Sequence, residues 1–437
     1  MKFATIKEKP KKGKVMEKKI YQEYVKILNE ELVPAMGCTE PIAVAYAAAI
    51  AADTLGESPE RVDVHVSANI IKNVKSVVVP CTGGLRGIGA AVCAGIIAAR
   101  PDKELEILTV ITENQKPQIA ALLEKVPVKV QESESGYIFD IRIDVYAGAH
   151  TASAQIAGYH TNVIHIEKDG QVLVEKEYVE QGPEYATDRS LLNVEQIVEF
   201  ADCVELSEVS EALERQIAFN TAIAKEGIKG GWGAEIGKVL LNAYGDSVHN
   251  RAKAMAAAGS DARMNGCELP VVINSGSGNQ GMTASLPVIV YAEDQNAAKE
   301  QLLRALVVSN LVTIHLKTGI GRLSAYCGAI SAGCGAGAGI CYLSGGRGNE
   351  IAHVIANAAA INSGVICDGA KASCAAKIAS AVEAGLLAVQ MQKNGTQFYD
   401  GEGIVKKGVE NTIRNVGELA KQGMRETDKT IIRMMTR

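Results

Sequence analysis

The chain has 437 residues, 47% of them hydrophobic and 22% charged, with a net charge of −5 and 10 cysteines. That length exceeds one small core, so two or three domains are expected, and the mildly acidic balance argues against nucleic acid or an anionic membrane as a partner. With no apolar export leader, the cysteines read as those of a reducing, cytoplasmic protein, which disfavours a disulfide framework and leaves packing, catalysis or metal binding.

The chain opens on the Lys-dense "MKFATIKEKPKKGKVMEKK", and residues 1–16 are predicted to be a flexible basic arm. Residues 17–32 carry apolar positions at helical spacing until Pro34 ends the pattern. In "GCTEPIAVAYAAAIAADTLG", Thr39-Glu40-Pro41 reads as a helix start and Gly56 as its stop. These helices, within 17–58, are expected to pack near the catalytic domain.

From 59 to 188 the pattern becomes α/β. "RVDVHVS" alternates with period two, "NVKSVVVP" is β-branched, "GGLRGIGAAVCAGIIAAR" reads as a helix and "ELEILTVIT" as a strand. "YIFDIRIDVYAG" places Phe139, Ile141, Ile143 and Val145 on one face. "HTNVIHIEKDGQVLVEKEY" is a hairpin turning at Asp169-Gly170. After residue 189 strand signals nearly vanish, and 189–437 reads as a helical domain. The fold class is therefore α+β: an all-helical C-terminal catalytic domain with an inserted α/β domain of mixed or antiparallel sheet. Residues 325–343 carry no charge, but are mostly Gly, Ala, Ser and Cys, too weakly apolar for a membrane span. The 43 glycines and many alanines predict close helix–helix contacts.

Chemistry concentrates in three places. In "SAYCGAISAGCGAGAGICYLSGG", Cys327, Cys334 and Cys341 are seven residues apart. On one unbroken helix that spacing advances two turns, about 10 Å, too far for the thiolates to grip one metal centre, so Cys334 and Cys341 read as packing. Cys367 and Cys374 have the same spacing, but Asp368-Gly369 between them signals a turn. A turn would let both thiols reach one centre, with Cys374 near a helix N-terminus that favours thiolate; core packing stays the alternative. Cys38 precedes a helix start, where the dipole would lower its pKa; a buried core thiol is the other reading. Glu40 reads as a helix cap or an orienting group.

The loop "NSGSGNQG", 274–281, offers backbone N–H groups with Ser275, Ser277 and Asn279, as carboxylate- or phosphate-binding loops do. It lacks the G-K-[ST] ending of a P-loop, so no nucleotide is expected. Lys72 and Lys317 are candidates to counter a substrate carboxylate, with surface lysine the plain alternative, and His160 in "GYHTN" reads equally as structural or catalytic.

"PAMGCTEP", "SANIIKNVKSVVVPCTGG", "GYHTN", "INSGSGNQG" and "GRLSAYCGAISAG", with Cys327, Cys367 and Cys374 separated by 40 and 7 residues, resemble the L-cysteine desulfidase family over about residues 20–430. That family is distantly similar to the α subunit of iron–sulfur L-serine dehydratases, whose likeness here falls mainly in the C-terminal half. The resemblance implies a [4Fe-4S] cluster on Cys327, Cys367 and Cys374 with one open iron, making 189–437 an iron–sulfur domain. It implies Cys38 as the base that removes the Cα proton, with Glu40 beside it. Thr39, Asn69, Lys72, Asn73, Thr82, Ser275, Ser277, Asn279 and Lys317 are then expected to bind the amino acid. The implied reaction is α,β-elimination of L-cysteine to sulfide, ammonia and pyruvate. An L-serine deaminase is the alternative, weakened because no cysteine follows Cys374. A non-catalytic amino-acid sensor is a third reading. No Lys-centred pyridoxal phosphate motif stands out, and a homo-oligomer is left open.

Overall fold

The computed structural model describes residues 16–178, 187–321 and 323–436; all of the basic arm before Met16 lies outside them. Two hydrophobic cores organise the molecule. The first is the helical body, and its opening helix α1 (Lys18–Glu31) forms on the spacing read in the sequence. Tyr24, Ile27 and Leu28 are fully buried on one face, and the Tyr24 ring meets Phe200 edge-on at 5.4 Å. Strand β1 (Pro34–Met36) follows. Helix α2 (Thr39–Leu55) has Pro41 in its first turn and stops at Gly56 in the left-handed conformation, φ +82°.

Although α2 follows α1 closely, it belongs to the second core, that of a six-stranded mixed sheet. The sheet comprises β2 (Arg61–Val66), β3 (Val128–Glu132), β4 (Asp140–Ala147), β5 (His150–Ala157), β6 (Val163–Lys168) and β7 (Gln171–Glu175), in spatial order β3-β2-β4-β5-β6-β7. β2 and β3 run parallel and every other pair antiparallel. Val62, Val64, Ile141, Ile143 and Val145 are fully buried with the alanines of α2 and of α4 (Gly87–Ala98). The β6–β7 hairpin turns where expected, with Asp169 and Gly170 both at positive φ.

One expected strand is absent. "ELEILTVIT" lies in a 3-10 segment, Pro101–Val110, packed on α2. Ile107, Leu108 and Ile111 are buried while Glu106 and Thr109 are exposed, a helical rather than alternating pattern. "NVKSVVVP" ends the short helix α3 (Ala68–Val74) and then makes a single bridge, Val78 to Arg86. Its valines are divided between clusters, Val77 packing with Cys38 and Met264 and Val79 with the sheet core, so no ladder forms. The sheet unit is completed by α5 (Lys116–Lys125).

The helical body then runs through α6 (Val194–Cys203), α7 (Ser210–Lys229), α8 (Ile236–Tyr244) and α9 (Val248–Met264). Strand β8 (Pro270–Val272) pairs antiparallel with β1, tying the N-terminal segment to the body. Then come α10 (Gly278–Asp294), α11 (Lys299–Ile320), α12 (Gly328–Leu343), α13 (Gly348–Asn362), α14 (Cys374–Lys393), α15 (Val409–Glu418) and α16 (Arg425–Thr436). α14 is the one described helix long and apolar enough to cross a membrane, and 56% of its apolar window is buried within the body.

Candidate active site

A cavity of about 130 Å³ lies where the sheet unit meets the helical body. Four helices begin at it. Cys38 is the N-cap of α2, Ser277 of α10 and Cys327 of α12, and Cys374 is the first residue of α14. Helix N-termini present unpaired N–H groups and positive dipole ends, so the backbone favours negative charge here before any side chain is counted. The sheet unit contributes Lys72 and Asn73 from α3 and Phe139 and His160 from its loops.

The Cys38 thiol, 3% exposed, donates to Glu40 Oε2 at 3.1 Å. Asn73 Nδ2 donates to Glu40 Oε1 at 3.1 Å, and the Thr39 hydroxyl lies 3.1 Å from both Glu40 Oε2 and Gly276 O. Burial, then the Glu40 charge, pushes the Cys38 thiol well above its usual range, with Arg263 opposing them. This reverses the expectation that a helix start would acidify Cys38. Burial also works to raise Glu40, but the facing His160, the Cys38 hydrogen bond, its backbone and Arg263 outweigh it and hold the carboxyl below its usual range. The resting pair is a protonated thiol beside an ionised carboxylate. His160, which packs edge-on to Phe139 at 4.8 Å, is thus brought to Glu40.

Across the cavity, Ser275 and Gly276 both adopt positive φ, +50° and +75°, and Asn274 and Ser277 close the turn with two 3.1 Å backbone hydrogen bonds. The turn delivers Ser275, Ser277 and Asn279 to the cavity wall. Arg263, on α9, was not singled out from the sequence. It is 2% exposed, donating from Nε to Gly37 O at 2.9 Å and from Nη1 to Asn279 Oδ1 at 3.2 Å. It sits among alanines in "AKAMAAAGSDARM", and only the folded chain brings it opposite Cys38. Lys72 lines the cavity but is bound to Asp428 of α16 at 2.5 Å, and Lys317 donates to Gly321 O at 2.5 Å. Three expected residues, Thr39, Asn69 and Thr82, stand apart from the cavity wall, Thr39 contacting Glu40 and Gly276 O instead. Thr82 donates to Val79 O at 2.7 Å within its own turn, and Asn69 has its Oδ1 buried on α3 without a partner among the described residues.

Cys327, Cys367 and Cys374 all line the cavity. Cys367 N donates to Ala325 O at 2.6 Å and Cys327 N to Val365 O at 3.0 Å, which staples the two cysteine loops together. Gly369, at φ +90°, follows Cys367; a Cβ there would stand 2.2 Å from Lys72 O, so the turn admits only glycine. Lys377 donates to Ile366 O at 2.8 Å and bonds Asp368, and Lys371 Nζ lies 2.5 Å from Asp368 Oδ1. Burial and then the neighbouring Cys367 push the Cys327 thiol up to about 12, and burial raises Cys374 too. Desolvation outweighs the helix N-terminus expected to ionise Cys374. Such thiols become ligands only when a metal supplies the compensating positive charge. Among the described residues no three such side chains close around one point as a single ion requires. Cys327, Cys367 and Cys374 share the one cavity, and three thiols are a donor set of the kind iron–sulfur clusters take. Cys334 and Cys341 are buried in the helical core, away from the cavity.

The chain matches the family described as serine dehydratase alpha chain over residues 102–433, reaching further toward the N-terminus than the C-terminal half read from the sequence. It is 59% identical over 415 residues to a UPF0597 protein of Desulfitobacterium hafniense, covering 95% of this chain and 96% of that one. A UPF0597 protein of Lachnoclostridium phytofermentans is 50% identical, with 95% and 100% covered, and one of Treponema denticola 43%, with 96% and 99% covered.

Proposed function

The chain belongs to the serine dehydratase alpha chain family, and from that premise we propose that it is a lyase removing the β-substituent of a small L-amino acid, with L-cysteine as substrate and sulfide, ammonia and pyruvate as products. The observation that carries this reading is the gathering, in one small cavity, of a proton-transfer pair, an anion-binding turn and three thiols. L-serine is the second reading, favoured by the family's name.

The thiols of Cys327, Cys367 and Cys374 would hold a 4Fe-4S cluster. When bound, it would supply an iron without a protein ligand, a Lewis acid for the departing sulfur or hydroxyl. The chain's own residues do the rest. The Ser275–Gly276 turn and the N-terminus of α10 orient the carboxylate. Cys38 passes its proton to Glu40 Oε2 and takes the Cα proton on Sγ. Asn73 and Thr39 fix the carboxylate that takes up the thiol proton and later returns it. The electron pair left at Cα forms the Cα=Cβ double bond as the β-substituent departs with the pair of its own bond to Cβ, and the aminoacrylate so formed takes up water to give pyruvate and ammonia.

Anaerobic reconstitution with iron and sulfide, followed by assays with each amino acid, tests the reading. Cluster absorption with sulfide and pyruvate from L-cysteine supports it. Turnover of L-serine alone selects the second reading. A folded protein that takes up no iron refutes both and leaves an amino-acid sensor.

A further inference from the structure

We infer that Gln280 and Arg263 hold the two charged ends of the amino acid, Gln280 Oε1 accepting from its ammonium and the Arg263 guanidinium binding its carboxylate. The inference rests on the proposed elimination and adds the recognition that fixes the substrate's orientation.

Gln280 lies in the first turn of α10, lines the cavity and is 6% exposed. Its Oε1 is buried without a hydrogen-bond partner among the described residues. A buried acceptor left unpaired is costly and rare, so its presence on a cavity wall calls for a donor from a ligand. The amide is wedged against Gly328, where a Cβ would stand 2.6 to 2.8 Å from its three terminal atoms. Gly328 follows Cys327, so the unpaired acceptor sits beside the cysteine wall. Glu40 is the other candidate for an ammonium, but Asn73 occupies one of its oxygens and Cys38 and Thr39 the other.

The carboxylate end follows from charge. Lys72 is engaged by Asp428 and Lys317 by Gly321 O. Arg263 has five N–H donors, and its two partners, Gly37 O and Asn279 Oδ1, fix the guanidinium plane while leaving donors over. A planar fork so held matches a carboxylate. An amino acid spanning Arg263 and Gln280 shares the cavity with Cys38 and the three thiols.

The test crosses protein variants with truncated ligands. Binding of 3-mercaptopropionate, which lacks the ammonium, and of cysteamine, which lacks the carboxylate, is measured by calorimetry on the reconstituted enzyme under anaerobic conditions. Gln280→Met should weaken cysteamine at least about ten-fold and leave 3-mercaptopropionate unchanged. Arg263→Lys should do the reverse. Gln280→Glu, which keeps an acceptor, should restore cysteamine and guards against a fold defect in the Met variant. Both ligands weakening together in either variant, neither changing, or no binding of either to the wild type overturns the inference. Sulfide and pyruvate release by the wild type is scored separately, so turnover with an uncrossed pattern removes the inference alone, and absent turnover removes the function.

Discussion

At the scale of single residues, the Cys38–Glu40 pair decides how the site handles a proton. Glu40 is depressed, so it stays ionised as pH falls until below the ordinary carboxylate range; Cys38 is raised, so it stays protonated as pH rises through neutrality. Activity should therefore hold well into acid, with no limb from Cys38 ionisation near neutral pH. Glu40→Gln, which removes the acceptor, should cut kcat about 100-fold or more while cluster absorption is retained; a pH–rate profile with iron analysis checks both. Asp261 offers a residue-scale prediction about stability. Burial raises its pKa to about 6, against the backbone donors, Ile236 first, that cap α8. An acid raised in the folded state holds more protons folded than unfolded, so this group's contribution falls as pH rises from about 4 through 6. Asp261→Asn keeps one cap acceptor and removes the buried charge, so its stability relative to the unsubstituted protein should rise as pH rises from about 4 through 6. Thermal melts should show its advantage growing between pH 5 and pH 8. Neither sign was legible in the sequence. The dipole at Cys38 is a local feature and could be read, but Glu40 and the burial that overrule it are tertiary.

At the scale of elements, what could be read was what repeats locally. The alternation in β4, the Asp169-Gly170 hairpin and the Pro41 start of α2 depend on neighbours in sequence, and all three formed. The segment 101–110 misled because its β-branched residues suit a strand in isolation, while its burial is set by α2. The cysteines divide on the same principle. Cys334 and Cys341 lie inside α12 and share the core, whereas Cys327 is its N-cap and faces the cavity. Cys334→Ala should then keep full iron uptake and turnover and cost about 1–2 kcal/mol of stability. Cys374→Ala should lose the cluster, read as iron per protein after reconstitution. Equal iron in the Cys374 variant would strike it from the ligand set.

At the scale of the molecule, the site exists only while two cores stay docked, because its proton pair and its thiols arise on opposite sides of the join. α3 is the element held between them. Lys72 O meets the Gly369 turn that carries the cysteines, and Lys72 Nζ, on a side chain 1% exposed, reaches Asp428 of the C-terminal helix. A lysine so buried requires its counter-charge: removing Asp428 alone strands an ammonium, while removing both charges relieves it. Lys72→Met and Asp428→Asn should each destabilise, and the double variant should cost less than their sum by about 1–3 kcal/mol. Denaturant unfolding of the four proteins measures that coupling directly. A coupling near zero would mean that α16 rests on the sheet unit without clamping it, and that the cavity walls are held by the Gly369 contact and the β1–β8 pair instead.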